Sequence, residues 1–242
     1  MVLRRAEDTY IHELYADAPS LGATLMGAHF PRSYIDTNRG LDEMDVSIID
    51  GDWPDPVSDS EKAAVGIGLI WRVNQKNQFI YDRLLSIDEA KNRINAYWQP
   101  YHDTLQTTMN QLHEKFGKVV HINCHSMPEI SNQSSKEGPG VQRPEFCLGD
   151  RRGTTCDPEL TDLTKSVLEE MGYGVAVNEP YAGVELVRAY SNPAEKRHSL
   201  QVEIRRDLYM DEATFEKNRN FNMLKDDLYV LTKKLAEFSK SL

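Results

Sequence analysis

The longest regular pattern of apolar residues lies in the middle of the chain, behind a polar pair that can cap a helix. Ser86 and Glu89 have the spacing of a capping box, in which each side chain bonds to the backbone N–H of the other residue. Apolar residues then recur every three or four positions up to Phe116. The pattern predicts one long amphipathic helix, with Pro100 as a kink or break and Gly117 as its end. These apolar positions are Ile94, Trp98, Tyr101, Leu105, Met109, Leu112 and Phe116.

Short apolar segments elsewhere predict strands. They cover residues 118–123, 174–178 and 199–205, and helical patterns alternate with them. This alternation favours an α/β fold, a mostly parallel mixed sheet with helices on both faces. No internal repeat or linker divides the sequence, so we expect a single domain over residues 1–242. In such sheets a ligand binds outside the carboxyl ends of the strands, which makes the residues following each strand the first candidates for function.

The second half of the chain combines a predicted loop with two further helices. Residues 131–156 are rich in Ser, Gly, Pro and Arg and predict a long loop. Asp157 followed by Pro158 is a helix-start signal, and Gly172 ends that helix. A C-terminal helix is predicted from residues at helical spacing, namely Leu224, Leu228, Leu231, Leu235 and Phe238.

Composition and charge narrow the classes of protein. The 242 residues are 40% hydrophobic and 27% charged, and the net charge of -10 argues against a nucleic-acid partner. An anionic substrate would have to bind against this overall charge, so it would need local arginines. The three cysteines are an odd number, and no secretory start precedes them. The most apolar run, residues 63–71, is too short for a membrane span. We therefore expect a cytoplasmic protein without a membrane partner.

Four polar clusters lie at predicted strand ends: residues 34–39, 123–128, 148–154 and 201–205. His125 in the second cluster is either a metal ligand or an ordinary hydrogen-bonded histidine of a loop. His121 invites pairing with His125 on one metal. We reject that pair, because residues four apart on a strand are separated by roughly 13 Å.

Glu203 and four arginines carry the remaining candidate chemistry. Glu203 lies in an alternating segment, where it is either a general base or a residue on the solvated face of an edge strand. Paired hydrogen bonds from a guanidinium suit a substrate carboxylate, although most arginines are surface residues. The candidates are Arg39, Arg151, Arg188 and Arg205.

At these clusters the sequence resembles the N-formylglutamate amidohydrolase family. YIDTNR is similar to its Asp-x-Asn-Arg element, NCHSMP to its Asp-x-His-Ser element, and EFCLGDRRGTTCD to its Leu-Gly-x-x-x-Gly-x-x-Cys-Asp loop. YWQPYHDTL, NEPYAG, VRAYSNPAEKRHSLQVEI and DLYMDE also match. The resemblance covers nearly the whole chain. It implies cleavage of N-formyl-L-glutamate, or a similar small acidic N-acyl amino acid, to formate and glutamate in histidine breakdown.

The resemblance also implies a fold like that of zinc carboxypeptidases and aspartoacylases, and roles for individual residues. His125 and Asp8 are the implied ligands of Zn²⁺ or another divalent metal, and Glu203 is the implied general base. Asn38 and Arg39 match the family's substrate-binding pair. The full set of expected substrate-binding residues is Asn38, Arg39, Ser126, Arg151, Arg188 and Arg205.

The sequence departs from the family pattern at its start. The family's Pro-His-Ser/Ala-Gly loop, whose histidine is a metal ligand, has no counterpart here. His12 and His29 are candidates to replace that histidine, and the alternative is an ordinary residue in each case, His12 on a helix and His29 in a turn before Pro31. A vacant or edge position is accordingly expected beside the strand that bears His125. Asn123 also stands where the family has Asp. A second hypothesis therefore stays open, a non-catalytic relative that binds a small dicarboxylate and has lost its metal site. The oligomeric state is not indicated.

Overall fold

The computed structural model describes residues 3–133 and 135–242. Their contacts group into two compact units. One consists of the described residues up to Glu7 together with Ala28–Thr108, and the other of Asp8–Gly27 and Met109–Leu242 apart from Ser134. The expected single domain over residues 1–242 stays a prediction.

The regular elements alternate along the chain as expected of an α/β protein. The α-helices are α1 (Ile11–Leu14), α2 (Glu61–Ala64), α3 (Ile87–Arg93), α4 (Gln99–Phe116), α5 (Pro158–Glu170), α6 (Glu185–Ala189) and α7 (Phe221–Ser241). The strands are β1 (Ile49–Asp50), β2 (Leu85–Ser86), β3 (Val119–Met127), β4 (Phe146–Gly149), β5 (Val175–Val177) and β6 (Arg197–Arg205). Short 3-10 turns lie at Leu3–Ala6, Ala18–Leu21, Val46–Ile48, Pro193–Glu195 and Arg206–Leu208.

The predicted long helix is interrupted by a π-helical turn. Ser86 caps α3 by accepting the N–H of Glu89 at 3.1 Å, as its sequence spacing indicated. The π turn, Ile94–Trp98, separates α3 from α4. Pro100 lies in the first turn of α4 and has no N–H to donate to the preceding turn, which accounts for a break at this point.

The first unit is built around a small apolar core rather than an extended sheet. Its strands β1 and β2 are a short parallel pair, with Ile49 opposite Leu85. Buried side chains from loops, from β1 and β2 and from α3 fill the interior, so the unit relies on packed loops for its shape. The core residues are Ile35, Met44, Ile48, Ile49, Leu69, Ile70, Leu85, Ala90, Ile94 and Trp98.

The second unit contains a four-stranded mixed sheet in the order β3-β6-β4-β5. Strand β3 is parallel to β6, β4 is antiparallel to β6, and β5 is parallel to β4. Within the described residues β3 pairs only with β6, so an edge position lies beside it. One sheet face packs on α1, α5 and α7 through Leu200, Val202 and Ile204 of β6.

Three expectations from the sequence are wrong in detail. The loop predicted over residues 131–156 contains β4, whose Phe146, Cys147 and Leu148 are fully buried. The apolar segment of β4 is too short, between polar neighbours, for the sequence to predict a strand there. Strand β3 continues to Met127, so His125 lies inside a strand. The cluster at residues 34–39 follows no strand and is a turn segment.

No helix among the described residues is long and apolar enough to cross a membrane.

Candidate active site

The sheet face opposite the apolar core carries a row of polar side chains. Because side chains alternate along a strand, Gln201 and Glu203 of β6 point away from the core that Leu200 and Val202 enter. His125 of β3 lies opposite Glu203 in the parallel register, and Cys147 of β4 lies opposite it on the other side. Glu203 therefore occupies the centre of the sheet and is 8% exposed. The alternative of a solvated edge strand is wrong for this residue.

Asp8 contacts the two residues at the end of β3. Asp8 Oδ2 lies 2.9 Å from Nδ1 of His125. Asp8 Oδ1 accepts the backbone N–H of Ser126 at 2.7 Å and its hydroxyl at 3.3 Å. Both carboxylate oxygens thus hold the segment that bears His125. His125 and Glu203 project from neighbouring strands, which are about 4.8 Å apart, on the same sheet face, and Asp8 contacts His125 from the free side of β3.

Asp8 and His125 suit a divalent metal as far as two donors can. Ligands of a tetrahedral zinc ion, each about 2.0–2.1 Å from it, lie roughly 3.3 Å from one another. The 2.9 Å between Asp8 Oδ2 and His125 Nδ1 is a hydrogen-bond distance, so in this structure the two groups bind each other and lie side by side. A catalytic zinc takes three protein ligands, however. No group of three His, Cys, Asp or Glu side chains suited to a metal is found within residues 3–133 and 135–242.

The histidines considered as further ligands have other surroundings. His12 on α1 and His29 are both exposed. His121 Nδ1 lies 2.7 Å from the hydroxyl of Ser199, two strand steps from His125. Burial, and then the nearby His125, lower the pKa of His121 to about 4, so this side chain is neutral at pH 7. His121 is accordingly a partner of Ser199 rather than a ligand shared with His125.

Arg206 is connected through Ser126 to the Asp8 and His125 cluster, and the sequence analysis missed this residue. Arg206 is 4% exposed and donates from Nε to the hydroxyl of Ser126 at 3.0 Å. Ser126 is thereby placed between Asp8 and Arg206. The adjacent Arg205 instead donates to Asp207 at 2.7 and 3.1 Å and to the Arg143 carbonyl at 2.7 Å. Arg205 and Arg206 are adjacent in the sequence, and nothing in that sequence indicates which of them contacts Ser126.

Arg188 and Arg151, both nominated from the sequence, lie in or near the 178–185 segment. Arg188 makes two bonds of 2.8 Å to the carboxylate of Glu185, and its side chain is 58% exposed. Arg151 donates its backbone N–H to the carbonyl of Ala182 at 2.7 Å and its Nη1 to the carbonyl of Gly183 at 3.3 Å. In this structure Arg151 holds the segment in place, and Arg188 is bonded to the carboxylate of its own helix.

Tyr181 is a further neighbour of Glu203 that the sequence analysis did not nominate, and Arg143 packs on its ring. Burial, followed by the charge of Glu203, raises the pKa of Tyr181 well above its ordinary value, so its hydroxyl stays protonated. The Arg143 guanidinium lies over the Tyr181 ring, 5.2 Å from its centroid, and is paired with Glu137 at 2.9 Å. Tyr181 therefore places a hydroxyl-bearing ring close to the candidate base.

In the first unit, Asn38 and Arg39 are held by a buried carboxylate. Asp36 is 1% exposed and accepts the N–H of Asn38 at 3.0 Å and the indole N–H of Trp71 at 3.2 Å. Burial alone would raise the pKa of Asp36, but the charges of Arg32 and Arg39 outweigh it and lower the pKa. The turn is thus anchored around an ionised carboxylate.

Arg39 keeps its charge inside this turn although it is buried. It donates to the carbonyls of Ile67 at 3.1 Å and Asn38 at 2.8 Å, and its Nη2 lies 3.7 Å from Asp36. Burial lowers its pKa, and the nearby Asp36 opposes that effect. The guanidinium is therefore oriented by two carbonyls and balanced by one carboxylate.

Trp98 of the π turn and His102 of α4 bind backbone carbonyls of the same turn. The indole N–H of Trp98 donates to the carbonyl of Arg39 at 2.9 Å, and Nε2 of His102 lies 2.9 Å from the carbonyl of Thr37. The two rings are stacked with centroids 3.7 Å apart. Because they bracket Asn38, these residues support the candidate substrate-binding pair. They were predicted only as parts of a helix.

Comparison with known proteins agrees with an α/β hydrolytic enzyme. A crystal structure of N-formylglutamate amidohydrolase from Ralstonia eutropha JMP134 superposes with a TM-score of 0.93 at 44% identity, over 99% of this chain and 85% of that one. A gene product from Agrobacterium tumefaciens has a TM-score of 0.65 at 19% identity, over 97% of this chain and 79% of that one, which shows the fold alone.

Sequence relatives give the particular family. An N-formylglutamate deformylase of Pseudomonas putida is 29% identical over 209 residues, which are 85% of this chain and 71% of the relative. One from Pseudomonas aeruginosa is 28% identical over 208 residues, with the same two coverages. The family model for N-formylglutamate amidohydrolase matches residues 1–210. The chain belongs to the N-formylglutamate amidohydrolase family.

Proposed function

We propose that this protein hydrolyses N-formyl-L-glutamate, or a closely similar N-acyl acidic amino acid, to formate and the free amino acid. Glu203 is the general base, and the observation that carries this role is its placement opposite His125 on the polar face of the sheet. A carboxylate that is 8% exposed in a central strand is costly to bury without a purpose or a partner. Family membership supports the reaction, and the geometry supports the residue.

The proposed reaction adds water across the formyl amide bond. Glu203 takes a proton from a water molecule while the water oxygen attacks the formyl carbon. Negative charge then develops on the carbonyl oxygen. The protonated Glu203 then gives that proton to the amine nitrogen as the C–N bond breaks. The remaining hydroxyl proton of the intermediate also passes to the amine, so formate and the ammonium form of the amino acid leave and Glu203 is again a carboxylate.

His125 and Asp8 would hold a zinc or other divalent ion in this proposal. Such an ion, when bound, polarises a carbonyl and acidifies a water molecule. The direct contact between Asp8 and His125 places the two donors side by side, which supports the pair. Zinc analysis of the purified protein by plasma mass spectrometry, before and after dialysis against a chelator, tests the metal directly.

The substrate carboxylates are proposed to bind arginines. Arg39 with Asn38 is one candidate, because Asp36 and the carbonyls around it hold its guanidinium in one orientation. Arg206 is a second, because it is buried and joined through Ser126 to the Asp8 and His125 cluster. Local positive charge of this kind is needed in a chain whose net charge is -10.

The direct test is release of formate by the purified protein. We expect formate from N-formyl-L-glutamate and at least about tenfold less, at equal subsaturating concentration, from N-formyl-L-glutamine, whose side chain is uncharged. Equal rates on the two would contradict an acidic substrate, and no formate from either would contradict the reaction.

Relatives are named for the hydrolytic activity, which leaves the non-catalytic alternative without support. A cytoplasmic location and a role in histidine breakdown stay predictions.

A further inference from the structure

Gln201 is hydrogen-bonded to Glu203, the proposed base. It lies two residues before Glu203 on β6, so that both side chains point to the same sheet face. The amide Nε2 of Gln201 donates to Oε1 of Glu203 at 2.9 Å. Gln201 is 2% exposed. An amide so completely buried must find its hydrogen-bond partners within the protein.

The second partner of Gln201 fixes the orientation of its amide. Its Oε1 accepts the backbone N–H of Val184 at 3.3 Å. Turning the amide over would set its carbonyl oxygen against the Glu203 carboxylate and its NH₂ group against the Val184 N–H. Both contacts would then be repulsive. The two neighbours thus select the single orientation in which Gln201 donates to Glu203.

The backbone that holds Gln201 is itself tightly packed. A Cβ atom on Gly149 would lie 2.6 Å from the nitrogen of Gly183, and Gly183 has a positive φ of 95°. Glycine is therefore needed at position 149 for the close approach of the two backbones and at position 183 for the left-handed conformation. The bond between Arg151 N–H and Ala182 carbonyl, at 2.7 Å, ties the same segment down. Val184 is therefore a fixed point to which the Gln201 amide is attached.

We propose that Gln201 is a positioning residue, which orients the Glu203 carboxylate and stabilises its ionised form. The inference rests on the proposed role of Glu203 as general base. A hydrogen bond donated to a carboxylate favours the charged form, and the base must be charged to take a proton from water. The link from Val184 through Gln201 to Glu203 also couples the shape of the 181–184 segment to the position of the base.

Two substitutions separate the parts of this link. Gln201→Glu keeps an oxygen to accept the Val184 N–H but replaces the donor to Glu203 with a second carboxylate. Gln201→Met has a similar length and removes both bonds. Gln111→Glu adds the same charge at an exposed position of α4 and serves as the control. Circular dichroism and thermal unfolding establish that each variant is folded.

The pH dependence of kcat/KM for N-formyl-L-glutamate is the decisive measurement. For both Gln201 variants we expect the acidic limb to move to higher pH by about one to two units, and kcat to fall about tenfold to a hundredfold. The shift should be larger for Gln201→Glu, because a like charge adds to the lost donor. Gln111→Glu should keep the parent profile.

The outcomes distinguish this inference from the proposed function. Folded Gln201 variants with an unmoved acidic limb would overturn the positioning role while leaving a formate-releasing parent enzyme intact. If Gln201→Met does not fold, the profile of Gln201→Glu decides in the same way. A parent protein that releases no formate would instead contradict the proposed function itself.

Discussion

The carboxylate of Asp8 and the imidazole of His125 are 117 positions apart along the chain and lie 2.9 Å from each other in the structure. The bonds from Ser126 to the other oxygen of Asp8 fix the carboxylate against the end of β3. Asp8 thus forms one polar centre with His125 and Ser126 of β3. Glu203 lies beside it on the neighbouring strand.

Replacing Asp8 tests whether this contact serves the reaction. Asp8→Asn preserves the size of the side chain and removes its charge. We expect kcat/KM for N-formyl-L-glutamate to fall about 100-fold or more, because the substitution weakens a proposed metal ligand as well as its bond to His125, and loss of a bond that only orients a metal-binding histidine already costs about 10- to 100-fold. Asp17→Asn, an exposed carboxylate paired with Lys225, is the control. Activity within twofold of the parent in a folded Asp8→Asn protein would remove Asp8 from the site.

Arg206 and Arg205 can be compared directly, since they are neighbours with different partners. Arg206→Lys keeps the charge but loses the planar guanidinium that reaches Ser126. We expect kcat/KM to fall about tenfold or more, because bonds to charged groups are the stronger ones. Arg205→Lys should act mainly on thermal stability through the lost bonds to Asp207. The reverse pattern would support Arg205 as the substrate-binding residue that the sequence suggested.

Arg39 is predicted to bind the substrate. Removing one partner of a buried charge-assisted contact costs about 2–5 kcal/mol, or roughly thirty-fold to several thousand-fold in affinity. Arg39→Ala should weaken binding of glutamate or N-formylglutamate to that extent in calorimetric titration. The same titration of Arg188→Ala tests the sequence-based hypothesis for Arg188, whose guanidinium is paired with Glu185. Unchanged affinity in either folded variant would remove that arginine from the site.

Asp36 should contribute to stability in a pH-dependent way. Its pKa in the folded protein is lower than the ordinary value of 3.8. A carboxylate with a lowered pKa contributes its stabilisation fully above the unfolded value and loses it as the pH falls through the folded value. Asp36→Asn should therefore lower the free energy of unfolding at pH 7 by about 3–5 kcal/mol, because it leaves buried arginine charge uncompensated.

The difference between Asp36→Asn and its parent should shrink below pH 4 in urea unfolding experiments. Asp52→Asn, at an exposed position, supplies the control. A difference that stays constant from pH 7 to pH 3 would show that the ionised form of Asp36 is not what stabilises the turn.

Local sequence signals predicted the regular elements well where they were strong. The Ser86 cap, the end of the helix before Gly117 and the start of α5 behind Asp157 all follow from side chains adjacent in sequence. Strand β4 was missed, because a strand of four buried residues is defined by its neighbours β5 and β6 rather than by its own pattern. Strand β4 therefore forms because it pairs with strands that are distant from it in the sequence.

The candidate site was predicted only through family resemblance. Chemistry alone left His125 and Glu203 with ordinary alternatives, since neither residue's own neighbours in sequence indicate its partner. The roles of Arg206, Gln201 and Tyr181 depend on contacts across the sheet and its loops, which single-sequence patterns do not contain. Strand register, with His125 opposite Glu203, supplies the missing relationship.

Formate release by Glu203→Gln is the most direct test of Glu203 as the general base. The substitution keeps the shape of the side chain and its place beside Gln201, and it removes the ability to accept a proton. We expect kcat on N-formyl-L-glutamate to fall by about 10²- to 10⁴-fold, the usual contribution of general base catalysis. Glu159→Gln, at an exposed position of α5, should retain parent activity. A folded Glu203→Gln protein that releases formate within tenfold of the parent rate would contradict the proposed mechanism.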